Sequence, residues 1–302
     1  MTQLSVAPPA ARQGPGPMPQ ALVDALELAV ARRAARALPG DRRAPGVGAG
    51  VELAQIRPYQ PGDDVRHIDA AATARTAVAH VRLHVPERAL TTWLLIDVSP
   101  SMAFGTADRL KADVAEGVAL VLGRLAVRRG GGLAVVTFGA GPRRILPPRS
   151  SRMALVGLRR VLGEGVAVDG LSDPHALADA LTAVGTAARQ PGLVTVVSDF
   201  RDQEGWLRPL GALRQRHSVF AVEVGDPRES QLPSVGLLAL IDPETGRRIE
   251  VDTSRRRVRD RFAAIERERR ETLVRELRRL RVAHARVSTD GNWLLNLGRE
   301  LR

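Results

Sequence analysis

Three absences limit what this protein can be. The sequence contains no cysteine, so disulfide bonds, thiolate nucleophiles and thiolate zinc sites are excluded. Aromatic residues make up only 3% of the chain, too few for a platform on which nucleic-acid bases stack. No apolar run approaches the ~20 residues that cross a bilayer, and the N-terminus lacks the basic start and hydrophobic stretch of a secretory signal. We therefore expect a cytoplasmic protein with no transmembrane segment.

The net charge is strongly positive, at +12, and all but one of the 45 lysine and arginine residues are arginine. A basic protein of this kind can associate with nucleic acid, and we keep that as one alternative. The heavy use of arginine together with alanine, glycine and proline is also what a GC-rich genome produces whatever the function. Because aromatic residues are scarce as well, we favour a solvated basic surface that matches an acidic partner over direct nucleic-acid binding.

Composition and periodicity divide the chain into three parts. Residues 1–20 are rich in proline, alanine and glycine and predict a disordered tail. Residues 21–77 form an N-terminal extension, with a helix predicted over 20–38. From 78 to 302, continuously apolar strands alternate with amphipathic helices, which predicts an α/β fold with a doubly wound, mainly parallel sheet flanked by helices. This last part also contains a predicted β-hairpin over 235–253 and a long amphipathic helix over 257–281.

Two of the predicted buried strands end at a carboxylate. The run "TTWLLIDVSPS" reaches Asp97, and "GLVTVVSDF" reaches Asp199. Ligands of open α/β sheets bind just beyond the carboxyl ends of the strands, near the point where the strand order reverses. Residues two apart in an extended segment point the same way, so Asp97, Ser99 and Ser101 can line one side of a loop. An all-oxygen site of this kind suits Mg²⁺ or Mn²⁺ with retained water.

The same residues carry a resemblance to a known family. "DVSPS" looks like the Asp-x-Ser-x-Ser signature of a von Willebrand factor A-like domain, whose metal-ion-dependent adhesion site holds a divalent cation. The upstream stretch "YQPGDDVRHIDAAATAR" resembles the marker of the family called domain of unknown function 58, in which it precedes such a domain. "VVSDF", "DPRESQLPSVG" and "DPETGRR" with "VDTS" resemble that family in the same order. The resemblance covers most of the chain and implies a von Willebrand factor A-like fold.

The resemblance assigns the site loop by loop. Ser99 and Ser101 match residues that ligate the cation directly, and Asp97 matches one that acts through water or from behind these ligands. Asp199 matches the acidic residue of the third loop. The family's middle-loop threonine is missing, and its place falls to His175 in an ungapped alignment, or to Ser172 or Asp173 after a short insertion. Imidazole is a poorer partner for magnesium than a hydroxyl, so this departure leaves it open whether the cation is present.

The marker segment is interpreted as structural. Its Pro61–Gly62 pair predicts a turn, and the charged residues that follow predict a capped helix with local ion pairs. We expect the segment to pack the N-terminal extension onto the following domain. The residues concerned are Tyr59, Pro61, Gly62, Asp63, Asp64, Arg66 and Asp69.

These residues predict a non-enzymatic protein-interaction module. An incompletely coordinated cation can accept a carboxylate from another protein and so bridge the two. The family resemblance implies association with AAA+ ATPases of the MoxR type, for which this chain would be an adaptor. The chain itself cannot be the ATPase, because it has no Gly-Lys-Ser/Thr phosphate-binding loop.

A metal-dependent phosphohydrolase with Asp97 as nucleophile is the alternative from a different class. Such enzymes usually need a second carboxylate two residues further on, where this chain has Ser99. They also need a suitably placed lysine, and Lys111 is expected inside the helix predicted over 108–128. We therefore expect no catalytic residue and no enzymatic activity.

Overall fold

Alternating strands and helices make up the computed structural model of this protein, as the apolar periodicity predicted. The structure describes residues 2–3, 52–85, 90–128, 130–139, 142–167, 173–201, 203–242 and 246–300. Most of the predicted tail over 1–20, the helix predicted over 20–38 and Ser172 lie outside the described residues.

The strands are β1 (Thr2–Gln3), β2 (Glu52–Pro58), β3 (His80–Val85), β4 (Thr92–Asp97), β5 (Leu133–Phe138), β6 (Ile145–Arg149), β7 (Leu193–Ser198), β8 (Ser218–Gly225), β9 (Leu237–Ile241), β10 (Arg248–Asp252) and β11 (Ala283–Ser288). The α-helices are α1 (Ala70–Thr76), α2 (Lys111–Arg128), α3 (Arg152–Leu162), α4 (Ala176–Ala187), α5 (Leu207–Arg216), α6 (Pro227–Ser230), α7 (Arg256–Arg279) and α8 (Trp293–Glu300). Short 3-10 helices lie at Val65–His67 and Pro100–Ala103.

Residues 41–89 form the smaller of two compact units, and its described part is built on one strand pair. β2 and β3 are antiparallel, with a bulge between Leu53 and Gln55. In sequence, the first 3-10 helix and α1 lie between these strands. β3 was predicted to belong to the domain that follows, but its partner β2 places it in the smaller unit.

The carboxylates of the marker segment close turns and helix ends within the smaller unit. Asp63 forms a bidentate ion pair with Arg57, with N–O distances of 2.9 and 2.8 Å. Asp64 caps the short 3-10 helix that follows it. Asp69 caps α1 by accepting a hydrogen bond from the amide of Ala72 at 2.9 Å. The capped helix predicted for this segment is therefore confirmed, whereas the ion pair of Asp63 is made with Arg57, which precedes the turn.

The larger unit contains a six-stranded sheet in the order β11-β8-β7-β4-β5-β6. Its first five strands are parallel, and the edge strand β6 runs antiparallel to β5. Every residue of β4, β5 and β7 is buried, which explains their continuously apolar sequences. The chain runs from β4 to β5 on one side and later crosses to β7 on the other, so the strand order reverses at β4. The predicted doubly wound, mainly parallel sheet is confirmed.

Helices cover both faces of this sheet and divide the core into two layers. On one face, Val114 and Val118 of α2 belong to a layer with Leu158 of α3 and Trp293 of α8. On the other face, the buried helical side chains come from α4, α5 and α7, with Leu277 of α7 fully buried. The predicted flanking helices are thus also confirmed. The described helices do not cover the carboxyl edge of the sheet, so the loops that follow the strands form this edge.

The predicted hairpin and long helix lie in the last third of the chain. β9 and β10 pair antiparallel to form the hairpin, and β1 pairs parallel to β9 in the same small sheet. The helix predicted over 257–281 is α7. Within the described parts of the chain, no helix is both long and apolar enough to span a membrane.

Candidate functional site

The site begins at the end of β4, a central strand of the sheet. Its first loop contains Asp97, Ser99 and Ser101 and is here called the serine loop. β4 ends at Asp97, and the second 3-10 helix turns the chain so that Ser101 lies beside Ser99. The amide of Ser99 donates a hydrogen bond to Asp97 Oδ1 at 2.9 Å. The hydroxyl oxygens of Ser99 and Ser101 are 3.0 Å apart, and all three side chains are buried. The structure therefore brings together the three residues predicted for the first loop.

A glycine at the end of the neighbouring strand makes room for the serine loop. Gly139 follows β5 with a φ of +111°. A Cβ atom here would lie 2.7 Å from both Asp97 Oδ1 and the amide nitrogen of Ser99. Only glycine combines this backbone conformation with such a close approach. Sequence reasoning missed the residue, although a glycine directly after an apolar strand was a signal for it.

The loop after β7 brings a second carboxylate beside the first. β7 pairs with β4, so Asp199 follows the strand next to that of Asp97. Ser198 donates a hydrogen bond from its hydroxyl to Asp97 Oδ2 at 2.5 Å. Burial raises the pKa of Asp97 to about 7, and the negative charge of Asp199 adds to the rise. Asp97 thus lies in surroundings that are short of positive charge.

The only lysine of the chain lies in this site. Lys111 is fully buried, and its ammonium is 2.6 Å from Asp199 Oδ2 and 2.6 Å from Glu229 Oε1. Burial alone would raise the pKa of Asp199, but the ammonium of Lys111, together with the amide and the charge of Arg201, lowers it overall. Burial alone would lower the pKa of Lys111, but the two carboxylates outweigh burial and raise it. Lys111 is therefore a charged group held between two carboxylates.

Lys111 lies in the helix that follows the serine loop, as predicted, but the inference that it is therefore not suitably placed near these carboxylates is wrong, for a reason of helix geometry. The helix predicted over 108–128 begins at Lys111 itself, so this residue is in the first turn of α2. Side chains of a helix tilt toward its N-terminus. The N-terminus of α2 follows the serine loop at the carboxyl edge of the sheet, and the tilt carries the ammonium into the site.

Lys111 belongs to an ion network in which Lys111 and Asp199 are buried and Arg201, Glu229 and Glu266 are partly buried. Arg201 contacts Glu229 at 3.2 Å and Glu266 at 2.7 Å. The network joins α2, α6 and α7 to the loop after β7. Sequence reasoning missed it because single charged residues far apart in the chain leave no periodic pattern. The one available signal was Glu229, which lies in the stretch "DPRESQLPSVG" of the family resemblance.

The described candidates for the middle loop lie at the start of α4. Asp173 and His175 are both exposed, and the Asp173 carboxylate accepts a hydrogen bond from the amide of His175 at 2.9 Å. A Cβ atom at Gly205 would lie 3.7 Å from the His175 ring, which places this ring beside the loop after β7. With Ser172 outside the described residues, the choice among the three stays a prediction.

The serine loop fits a divalent cation of the size of magnesium. Ligands about 2.1 Å from an octahedral Mg²⁺ are about 3.0 Å apart at adjacent corners. The hydroxyls of Ser99 and Ser101 are hydrogen-bonded to each other at 3.0 Å, which is also the separation of two such ligands, and they lie in the same loop as the buried carboxylate of Asp97. In the described part of the chain, no three Asp, Glu, His or Cys side chains gather around a metal position. A cation at this site would depend on the serine hydroxyls and on ligands from outside the loop.

Comparison with known sequences relates the chain to one protein family and to uncharacterized mycobacterial proteins. A model of the family described as protein of unknown function DUF58 matches residues 55–272. The uncharacterized protein Rv1480 of Mycobacterium tuberculosis is 36% identical over 283 residues, which cover 91% of this chain and 86% of the relative. The uncharacterized protein MAV169 of Mycobacterium avium is 36% identical over 125 residues, which cover 41% of this chain and 72% of the relative.

Comparison with solved structures gives matches at low sequence identity. The conserved hypothetical protein BatB from Bacteroides thetaiotaomicron is 14% identical with a TM-score of 0.44, covering 70% of this chain and 97% of that one. The VWA domain of SpRpn10 is 15% identical with a TM-score of 0.34, covering 45% of this chain and 75% of that one.

Proposed function

This chain belongs to the family described as protein of unknown function DUF58, and from this premise we propose that it is a protein-interaction module. Its binding site is the carboxyl edge of the sheet, at the serine loop. The observation that supports this proposal is the pair of serine hydroxyls 3.0 Å apart beside a buried carboxylate. Such oxygen donors suit an ion that a second protein can share.

In this proposal, Ser99 and Ser101 hold Mg²⁺ or Mn²⁺ directly, and Asp97 acts through water or from behind these ligands. The cation supplies a positive charge that attracts a carboxylate of the partner. Asp97 is oriented by hydrogen bonds from the amide of Ser99 and the hydroxyl of Ser198. Because these donors fix the loop before a partner arrives, little ordering is left for the binding step.

We propose an AAA+ ATPase of the MoxR type as the partner, for which this chain serves as an adaptor in the cytoplasm. The choice of partner rests on the family resemblance of the sequence. The net charge of +12 supports a partner with an acidic surface. Opposite charges speed the encounter of two proteins and select their orientation.

The site supports binding better than catalysis. Both carboxylate oxygens of Asp97 accept hydrogen bonds, one from the amide of Ser99 and one from the hydroxyl of Ser198. The lysine that a phosphohydrolase needs is near, but its ammonium contacts Asp199 and Glu229. These features disfavour Asp97 as a nucleophile, and we propose no catalytic role for it.

Partner capture tests the proposed function. We expect Ser99→Ala combined with Ser101→Ala to weaken binding of the purified cognate ATPase about tenfold or more in magnesium buffer, because two ligands are lost. EDTA should weaken wild-type binding to the same level, as measured by surface plasmon resonance. Ser150→Ala, at an exposed serine between β6 and α3, is the control and should bind like the wild type. Undiminished binding by the double variant contradicts the proposal.

A further inference from the structure

The candidate site contains a cation of its own, the ammonium of Lys111. This side chain is fully buried, and Nζ lies 5.9 Å from the centre of the Phe104 ring. A charged group without solvent contact requires partners of opposite charge. Asp199 and Glu229 provide them, each at 2.6 Å. A side chain of the protein, the ammonium of Lys111, therefore supplies the positive charge beside Asp199 and Glu229.

The carboxylates that hold Lys111 are themselves fixed from a second side. Glu229 Oε2 accepts a hydrogen bond from the amide of Asp226 at 3.0 Å, and Glu229 Oε1 also pairs with Arg201. Asp199 Oδ1 accepts a hydrogen bond from the amide of Arg201 at 3.0 Å. If the ammonium moved away, it would leave buried negative charge without its partner, which is strongly unfavourable.

This arrangement determines what Asp199 can bind. One of its oxygens accepts from Lys111 and the other from the amide of Arg201. A divalent cation on Asp199 would lie close to a buried ammonium, and like charges repel most strongly where water is excluded. The donors to Asp97 are neutral groups, namely the amide and hydroxyl of Ser99 and the hydroxyl of Ser198. A cation is therefore repelled by a charged hydrogen-bond donor at Asp199, and not by the donors to Asp97.

We infer that Lys111 takes the place of a metal ion as the positive partner of Asp199 and thereby excludes Asp199 from cation binding. The cation of the proposed function is then held by the serine loop and by the carboxylate of the partner. This inference rests on that function and deepens it. It also implies that cation and partner strengthen each other's binding, because neither finds a complete set of ligands alone.

Removing the Lys111–Asp199 pair as a whole tests this inference. Lys111→Met combined with Asp199→Asn deletes one positive and one negative charge, so the charge of the site stays balanced. We expect the dissociation constant for MnCl₂, measured by isothermal titration calorimetry, to stay within about threefold of wild type, because no ligand is lost. A loss of about tenfold or more would show that Asp199 is a ligand and would overturn the inference.

Lys111→Met alone gives the opposite expectation. It frees Asp199 beside the serine loop, and manganese affinity should rise about tenfold or more. Adding Ser99→Ala and Ser101→Ala to this variant should remove the gain, which locates the cation. If manganese affinity does not rise, the inference is overturned. If wild-type binding is too weak to titrate, the inference is tested by this variant alone. Circular dichroism checks the fold, and Lys111→Gln replaces the methionine variant if that variant is unfolded.

The two proposals fail in different ways. The proposed function fails if the chain without both serine hydroxyls still captures its partner. The inference about Lys111 fails if the charge-balanced pair variant loses manganese affinity while the serine variants behave as expected.

Discussion

At the scale of single residues, Gly139 sets how closely the end of β5 can approach the serine loop. Gly139→Ala adds a Cβ atom 2.7 Å from Asp97 Oδ1 at a φ of +111°. We expect it to lower the free energy of unfolding by about 2 kcal/mol or more, through strain and displacement of the loop. Urea denaturation measures this loss, and partner capture should weaken with it.

Gly130→Ala is the matched control for that substitution. Gly130 also has a positive φ, of +69°, but nothing lies within 4 Å of a Cβ atom added there. Its substitution should cost about 1 kcal/mol through backbone strain alone and leave partner capture unchanged. Equal effects of the two substitutions would show that the approach to Asp97 does not matter.

His217 makes stability depend on pH. The residue is buried after α5, and burial lowers its pKa below the ordinary value of 6.5, with a further decrease caused by Arg216. The unfolded chain therefore takes up a proton here at higher pH than the folded chain. The stabilising contribution is complete above the unfolded pKa and is lost as the pH falls toward the lower, folded pKa.

Urea denaturation at several pH values measures this effect. Between about pH 7 and pH 5, the wild-type free energy of unfolding should fall more steeply than that of His217→Gln. If His217→Gln shows the same slope as the wild type, this histidine does not titrate as described.

Two aspartates of the site could be predicted from the sequence, but the lysine could not. Asp97 and Asp199 follow directly from local sequence, because each comes at the end of a continuously apolar strand. Lys111 could not be placed, because its position depends on how the loop before α2 folds. Thr106 in that loop donates from its amide to Asp226 at 2.7 Å, across 120 residues of sequence. Contacts over such a separation leave no trace in local periodicity.

At the scale of secondary-structure elements, α2 and α8 approach each other through a glycine. A Cβ atom at Gly117 would lie 2.3 Å from Cζ2 of the buried Trp293. Gly117→Ala should therefore cost about 1–3 kcal/mol of unfolding free energy, because the added methyl overpacks the contact. Guanidinium denaturation provides the measurement.

Gly185→Ala on α4 is the control at this scale. Its Cβ atom would meet Leu213 at 3.8 Å, an ordinary contact. Alanine is the better helix former, so this substitution should stabilise the protein by up to about 1 kcal/mol. Two substitutions of the same type would then change stability in opposite directions. Destabilisation by both would mean that packing against Trp293 is not the cause.

Most elements of the larger unit could be predicted because burial on both faces leaves a simple pattern. β4, β5 and β7 have no exposed residue, and their sequences are correspondingly mostly apolar. The pairing of β3 with β2 was not foreseen. The alternating sequence of a strand indicates which of its faces is apolar but not which strand it pairs with. Pairing is decided by contacts outside the strand.

At the scale of the whole molecule, the charge of +12 should act on association more than on the fold. Raising NaCl from about 50 to 300 mM should weaken binding of the acidic partner on the order of tenfold, mainly through a slower association rate. Stopped-flow or surface plasmon resonance measures the rate. Ser99→Ala with Ser101→Ala should keep this salt dependence while dissociating faster. Salt-independent association would contradict a role for the basic surface.

The burial of Lys111 also has a consequence for chemical labelling. Because this is the only lysine of the chain, an amine-acylating reagent such as an N-hydroxysuccinimide ester has one side-chain amine to modify. That amine is fully enclosed and protonated by its contacts with Asp199 and Glu229, so it reacts only when this ion network opens. Acylation at this position, followed by mass spectrometry, thus reports the opening of the site without any engineered probe.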